Sequence, residues 1–219
     1  RLELERVASD FRRRYVLARG EALSDARQAL RALEPYPNLY RLPEAETLLG
    51  PVAEEELNRV AARGAPLSEL TAILDRFSGP YVGISRCEAI LGVLRAEAMR
   101  RRGSYRASVE EAQRWVRSDD DEVAARALYV LARSRQRMGE ATSQEFVDLA
   151  QRYPDTLFGM ISRPQASGAD ASPQQALVVL ARARERYGLE IDLLLTEAWY
   201  YLTSNDLPNG ERCLEEARK

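Results

Sequence analysis

The sequence contains no histidine, a single lysine and only two cysteines in 219 residues. Each scarcity closes off a class of chemistry. Without His there is no Ser-His-Asp or Cys-His nucleophile pair, no imidazole base near neutral pH and no His metal ligand. Cys87 and Cys213 stand far apart with no Cys-x-x-Cys spacing, so a zinc site has no support. Two buried thiols are the expected reading, ahead of a disulfide. Neither a metal nor any other cofactor is expected. The one lysine is Lys219, so every other basic residue is arginine, which reads first as the codon bias of a GC-rich genome.

Long apolar runs are missing as well. No stretch approaches the ~18 consecutive apolar residues of a membrane span, and no signal peptide precedes Arg1. A first residue that is not Met suggests a processed or trimmed chain, from which an export signal, an anchor or whole neighbouring domains could have been removed. No Gly-x-Gly-x-x-Gly or Gly-x-x-x-x-Gly-Lys loop offers a phosphate cradle, and no Gly-x-Ser-x-Gly elbow occurs. Net charge is −2, from 32 basic and 34 acidic residues. No overall field draws in nucleic acid or an anionic membrane.

What remains is a helical pattern. The composition, 45% hydrophobic and 30% charged, is that of a globular chain. Apolar residues recur at helical spacing, as in Leu4, Val7, Phe11 and Ala18, or Ala124, Leu128, Leu131 and Ala132, while period-two alternation is nearly absent. Gly and Pro cut this pattern into helices near 2–19, 22–33, 52–63, 67–77, 86–102, 105–117, 120–138, 143–152, 173–187, 189–204 and 207–218. The fold class is therefore all-α. The acidic run Ser118-Asp119-Asp120-Asp121-Glu122 reads as a helix cap, lacking the spaced oxygens and glycine of a calcium loop. Ser172-Pro173 reads as an N-cap followed by proline at the first helical position.

The helices recur in pairs. From Ile191 onward, Leu194, Ala198 and Tyr201 are followed by a turn at Asn205-Asp206 and then by Leu207, Gly210, Leu214 and Ala217. Leu128, Leu131 and Ala132 lead to Gly139, with Phe146, Ala150 and Pro154 beyond it. Ala96 and Met99 lead to Gly103, with Tyr105, Ala112 and Trp115 beyond. Gly103 and Gly139 are 36 residues apart, and Gly139 and Asn205 are 66 apart, close to two further periods. This outline resembles the tetratricopeptide repeat, a helix pair of about 34 residues. The resemblance implies an α-α superhelix, a solenoid of antiparallel helix pairs. Residues 1–85 would hold degenerate repeats, 86–161 clearer ones, 162–172 a linker or loop, and 173–219 the last helices of one continuous solenoid. Gly20 to Pro37 fits the separation between a repeat's turn and its closing proline, but no register is assigned between 50 and 86.

A second set of residues is similar to the superhelical domain of bacterial soluble lytic transglycosylases. It comprises Arg14-Tyr15, Ala18-Arg19-Gly20-Glu21 and Leu33-Glu34-Pro35-Tyr36-Pro37-Asn38-Leu39-Tyr40, then Ala127 to Arg133, Gly139 and Arg152-Tyr153-Pro154-Asp155-Thr156-Leu157-Phe158-Gly159. In that family a separate domain carries the catalytic Glu, followed by Ser, and a Gly-Leu-Met-Gln motif. Neither pattern occurs here, so no catalytic residue carries over. The resemblance implies a non-catalytic portion of a peptidoglycan-associated envelope protein, and places the bacterial periplasm ahead of the cytoplasm.

The candidate site follows from the tetratricopeptide resemblance, in which the first helix of each pair lines a concave groove. The family's groove positions, carried onto the pair that turns at Gly139, fall on Arg126, Tyr129, Arg133, Gln136 and Arg137. In the preceding pair they fall on Arg100 and Arg101. Trp199 faces the groove from the last pair, while Tyr201 matches a packing position. Guanidinium groups grip carboxylates in bidentate fashion, so the groove suits a protein or peptide partner with an acidic segment. The alternative is that Arg is this genome's ordinary surface residue. Glu54-Glu55-Glu56, Glu110-Glu111 and Glu215-Glu216 read as solvated helix surface. The functional expectation is a scaffold or adaptor with no reaction of its own, the alternative being the superhelical part of a transglycosylase-type protein.

Overall fold

The computed structural model describes residues 53–55, 57–61, 65–78, 85–140, 142–166, 172–188 and 190–218. The helices expected at 2–19 and 22–33, the Gly20 to Pro37 spacing and the transglycosylase-like residues up to Tyr40 lie outside them. The described residues are helical and contain no strand. After helical residues 53–55 and 57–61 come α1 (Leu67–Ser78), α2 (Ser85–Arg101), α3 (Tyr105–Gln113), α4 (Asp121–Arg137) and α5 (Ser143–Arg152). They are followed by α6 (Leu157–Ala166), α7 (Pro173–Tyr187), α8 (Ile191–Thr203) and α9 (Leu207–Arg218). None of these is long and apolar enough to cross a membrane.

The chain divides into two compact units. Residues 1–59 with 71–91 form one, whose described part buries Ala53, Leu57, Ile73, Cys87 and Ile90. Residues 60–70 with 92–219 form the other. In this second unit each helix from α3 to α9 packs on the next in sequence, and α4 also packs on α6. The connections are short, so neighbouring helices reverse direction.

Three of these reversals have the same construction, and they fall at the three turn residues singled out by spacing. Gly103, Gly139 and Asn205 have φ of 83°, 82° and 63°, the left-handed conformation that glycine, and less readily asparagine, adopts after a helix. At Gly139 the amide donates to the Gln136 carbonyl (3.1 Å) and the next amide, Glu140, to Arg135 (3.1 Å). The same two bonds run from Gly103 to Arg100 and Ser104 to Met99, and from Asn205 to Leu202 and Asp206 to Tyr201. Each is a Schellman closure, satisfying carbonyls that the end of a helix leaves without an intrahelical partner.

Helix starts are equally explicit. Asp120 accepts from the amides of Glu122 (2.9 Å) and Val123 (3.2 Å), and the Ser172 hydroxyl accepts from Gln175 (3.2 Å) ahead of Pro173. α6 is an addition to the expected set. It takes residues 162–166 out of the linker expected at 162–172, and 167–171 lie outside the described residues. Pro164 in its last turn removes one backbone donor, which is why the segment reads as a loop. Phe158 and Ile161 bury it all the same.

α4 lies at the centre of the second unit, and its sequence explains why. Ala124, Ala125, Ala127 and Ala132 let neighbours approach closely, while Tyr129, Val130 and Leu131 fill the space between them. One face joins Phe146, Leu149, Phe158, Ile161, Leu180 and Leu193 in the main core, and the other joins Ala96 and Ala112. Two hydroxyls inside are paired: that of Ser108 donates to the Ala96 carbonyl (2.7 Å) and lies 2.9 Å from that of Ser134. Both cysteines are buried and neither is in a disulfide.

Candidate functional site

The second unit contains a cleft of about 920 Å³. Its lining comes from α4, the start of α5, the end of α6 and α8, with Arg100 of α2 beside them. Six of the eight residues expected from sequence line it: Arg100, Tyr129, Arg133, Gln136, Arg137 and Trp199. The other two do not. Arg126 and Arg101 turn inward and both bond to the Glu97 carboxylate, Arg126 at 3.0 Å. Arg126 also donates to the Ala61 carbonyl (2.5 Å) and lies 4.7 Å over the Phe158 ring, while Arg101 donates to the Ala65 carbonyl (2.6 Å). Their guanidinium groups are internal cross-links, and neither residue is in the cleft lining.

The remaining cations differ in how they are held. Arg100 pairs with Asp192 at 3.3 Å. Burial works against its charge, but Asp192 and then Glu97 outweigh that and raise its pKa further, so it stays a cation. Arg133 donates to the Tyr129 hydroxyl (3.1 Å) and to the Gln136 side-chain oxygen (3.0 Å), and its guanidinium lies 5.2 Å and 5.3 Å from the Tyr129 and Phe146 rings. Arg137 is exposed and forms no ion pair with any described residue.

α8 contributes Trp199, 58% exposed, and Leu195, 45% exposed. Tyr200 is the aromatic of this helix that packs inward, meeting Trp199 edge-on at 4.8 Å, and Tyr201 is only half-buried. Asp192, Leu195 and Thr196, and Trp199 are spaced three, four and seven residues along one helical face. That periodicity marks this face, and it could have extended the candidate list beyond Trp199. Among the described residues, no three acidic or cysteine side chains gather as a metal site requires.

A titratable pair stands at the start of α8, Glu190 just before it and Asp192 within it. Glu190 caps α8 by accepting from the Leu193 amide (3.0 Å), while its other oxygen is buried without a hydrogen-bond partner among the described residues. Burial, then the nearby Asp192 carboxylate, push Glu190 up to about 8, against the pull of Arg126. For Asp192, burial favours the neutral acid, but Arg100, followed by Arg101, Arg133 and Arg126, holds the carboxyl below its ordinary range. Burial and then Asp192 push the Tyr129 phenol up to about 12.

The two carboxyls set opposite pH limits. Above the ordinary carboxylate range the unfolded chain has released the Glu190 proton that the native state retains, so stability falls as pH rises through about 8. The depressed Asp192 contributes stability that is lost on acidification below its unfolded value. Glu190→Gln is expected to flatten the first of these trends, worth at most about 1.4 kcal/mol per pH unit. Urea midpoints at pH 5, 7 and 9 check this, and equal alkaline losses in both proteins would reject it.

Comparison of the chain with protein-family models, with curated proteins and with solved structures finds no match to any of them.

Proposed function

We propose that the protein is a non-catalytic scaffold whose cleft receives an acidic segment of a protein partner. One observation carries this reading: Arg133 and Arg137, neither ion-paired with a described carboxylate, share a cleft with the exposed Trp199 and Leu195. Large aromatic and arginine side chains grouped in a concavity are the composition of a binding hot spot. The cleft's own carboxylates are already compensated, Asp192 by Arg100 and Glu140 by Arg135 at 3.6 Å. The uncompensated charge is therefore positive, and a partner's carboxylates would neutralise it.

The titratable groups of the cleft also favour binding over acid-base work. Tyr129 keeps its proton through neutral pH, and Asp192 is locked to Arg100. Glu190 titrates nearer neutrality but does not line the cleft, so it lies out of reach of a bound molecule.

Arg137→Glu combined with Trp199→Ala tests the proposal, because both side chains are exposed. Arg133 is unsuitable, since it braces Tyr129 and Phe146. The double variant is expected to keep its melting temperature and to lose proteins that the unaltered protein retains from an extract of the source cells, as read by mass spectrometry. Retention of the same set by both proteins would remove the case for the cleft.

A further inference from the structure

We infer that the start of α5 is a binding site for a phosphoryl group, taken up as inorganic phosphate or as the phosphate monoester of a small molecule. The site needs no protein partner, so it goes beyond the scaffold reading and does not depend on it.

An α-helix leaves its first amides without intrahelical acceptors, and a capping side chain ordinarily satisfies one of them. At α5 none does. Thr142 holds the capping position, but its hydroxyl accepts from no amide. The first bond runs from the Phe146 amide to the Thr142 carbonyl (3.3 Å), so the amides of Ser143, Gln144 and Glu145 have no partner among the described residues.

The Thr142 side chain points to a ligand independently of the helix end. It belongs to a residue only 5% exposed, yet its hydroxyl makes no hydrogen bond to any described residue and is not closed off from solvent. Because Thr142 lines the cleft, that hydroxyl opens into it. The Ser143 hydroxyl, also in the lining, is equally unpartnered. Free amides at the positive end of a helix dipole, joined by hydroxyl donors, form an anion site.

The end of α4 supplies the positive charge. Its contact with the start of α5 is direct: Arg135 bonds the Glu145 carboxylate (2.9 Å), and the Arg133 guanidinium lies 5.3 Å from the Phe146 ring. Arg133 and Arg137 both line the cleft without carboxylate partners. The acids nearby are compensated, Glu140 and Glu145 by Arg135 and Asp192 by Arg100. A phosphoryl group carries close to two negative charges and three strong acceptor oxygens. It therefore matches both guanidiniums and engages amides and hydroxyls together, where a carboxylate brings one charge on two oxygens.

The test titrates 15N-labelled protein separately with inorganic phosphate, glycerol 3-phosphate and acetate, with sodium chloride holding the ionic strength constant. The amide resonances of Ser143, Gln144 and Glu145 are expected to shift saturably, with half-saturation by phosphate at about 1 mM or below. Thr142→Val and Arg137→Gln should each weaken binding about tenfold at an unchanged melting temperature, since the Thr142 hydroxyl bonds nothing in the fold and Arg137 is exposed without an ion pair. Arg182→Gln, at an exposed arginine of α7, should bind like the unaltered protein. Tighter binding of glycerol 3-phosphate supports the monoester as ligand, and tighter binding of phosphate supports the free ion. The inference is overturned if the three amides do not saturate by about 10 mM, if acetate binds as tightly as phosphate, or if all three variants bind alike. Capture from the extract decides the scaffold reading separately.

Discussion

Replacing Arg126 with methionine is expected to lower the unfolding free energy by about 3–5 kcal/mol, the cost of leaving one partner of a buried ion pair uncompensated. The side chain is nearly fully enclosed and satisfies three groups at once: Glu97, the Ala61 carbonyl and the face of the Phe158 ring. Methionine keeps much of the volume but none of the donors. Glu97 then keeps its ion pair with Arg101 and the more distant charge of Arg100, and the Ala61 carbonyl loses its guanidinium donor. Removing the whole cluster is a different matter. Glu97→Met, Arg101→Met and Arg126→Met together leave no unpaired buried charge, so the triple variant should recover part of the loss, although the Ala61 and Ala65 carbonyls still lack these donors. Urea denaturation of the single and triple variants checks both statements. A loss below about 1 kcal/mol in the single variant would show that the cluster is hydrated or replaceable.

The same residue shows where sequence reasoning stops. Position 126 is on the helix face that the repeat pattern assigns to the groove, as are Arg133 and Arg137. Whether an arginine faces solvent or a buried carboxylate depends on Glu97, 29 positions earlier on another helix. No local pattern carries that information, and an all-arginine surface offers no contrast to reveal it. The helix ends were legible because their chemistry is local: a left-handed glycine or asparagine after the helix, or a capping oxygen before it. The 66-residue interval between Gly139 and Asn205 was legible as two periods, but not its content. α6 and α7 fill the interval, and α6 escapes notice because Pro164 lies inside it. The cleft was half legible. Its cationic wall follows from the repeat positions, whereas Asp192 and Leu195 emerge only when α8 is seen to be apolar on its exposed face too.

Gly159→Ala is the second substitution with a large expected effect, about 3 kcal/mol or more, at the upper end of what overpacking costs. α5 and α6 are joined by a turn in which the Tyr153 carbonyl accepts from both the amide (3.2 Å) and the hydroxyl (2.9 Å) of Thr156. The same hydroxyl accepts from the Gly159 amide (3.1 Å), capping α6. A methyl group at 159 would sit on the Tyr153 carbonyl oxygen, within 2.8 Å of its carbon and 3.1 Å of the Thr156 hydroxyl. The obstacle is backbone, so relief requires moving the turn and breaking the cap, which would also draw Phe158 out of its contact with Tyr129 (4.8 Å between rings). Gly92→Ala provides the comparison. There the added methyl meets the indole of Trp115, a side chain able to rotate at some loss of packing. The melting temperature should therefore fall further for Gly159→Ala than for Gly92→Ala, and the reverse order would mean that the α5–α6 turn yields more easily than the indole.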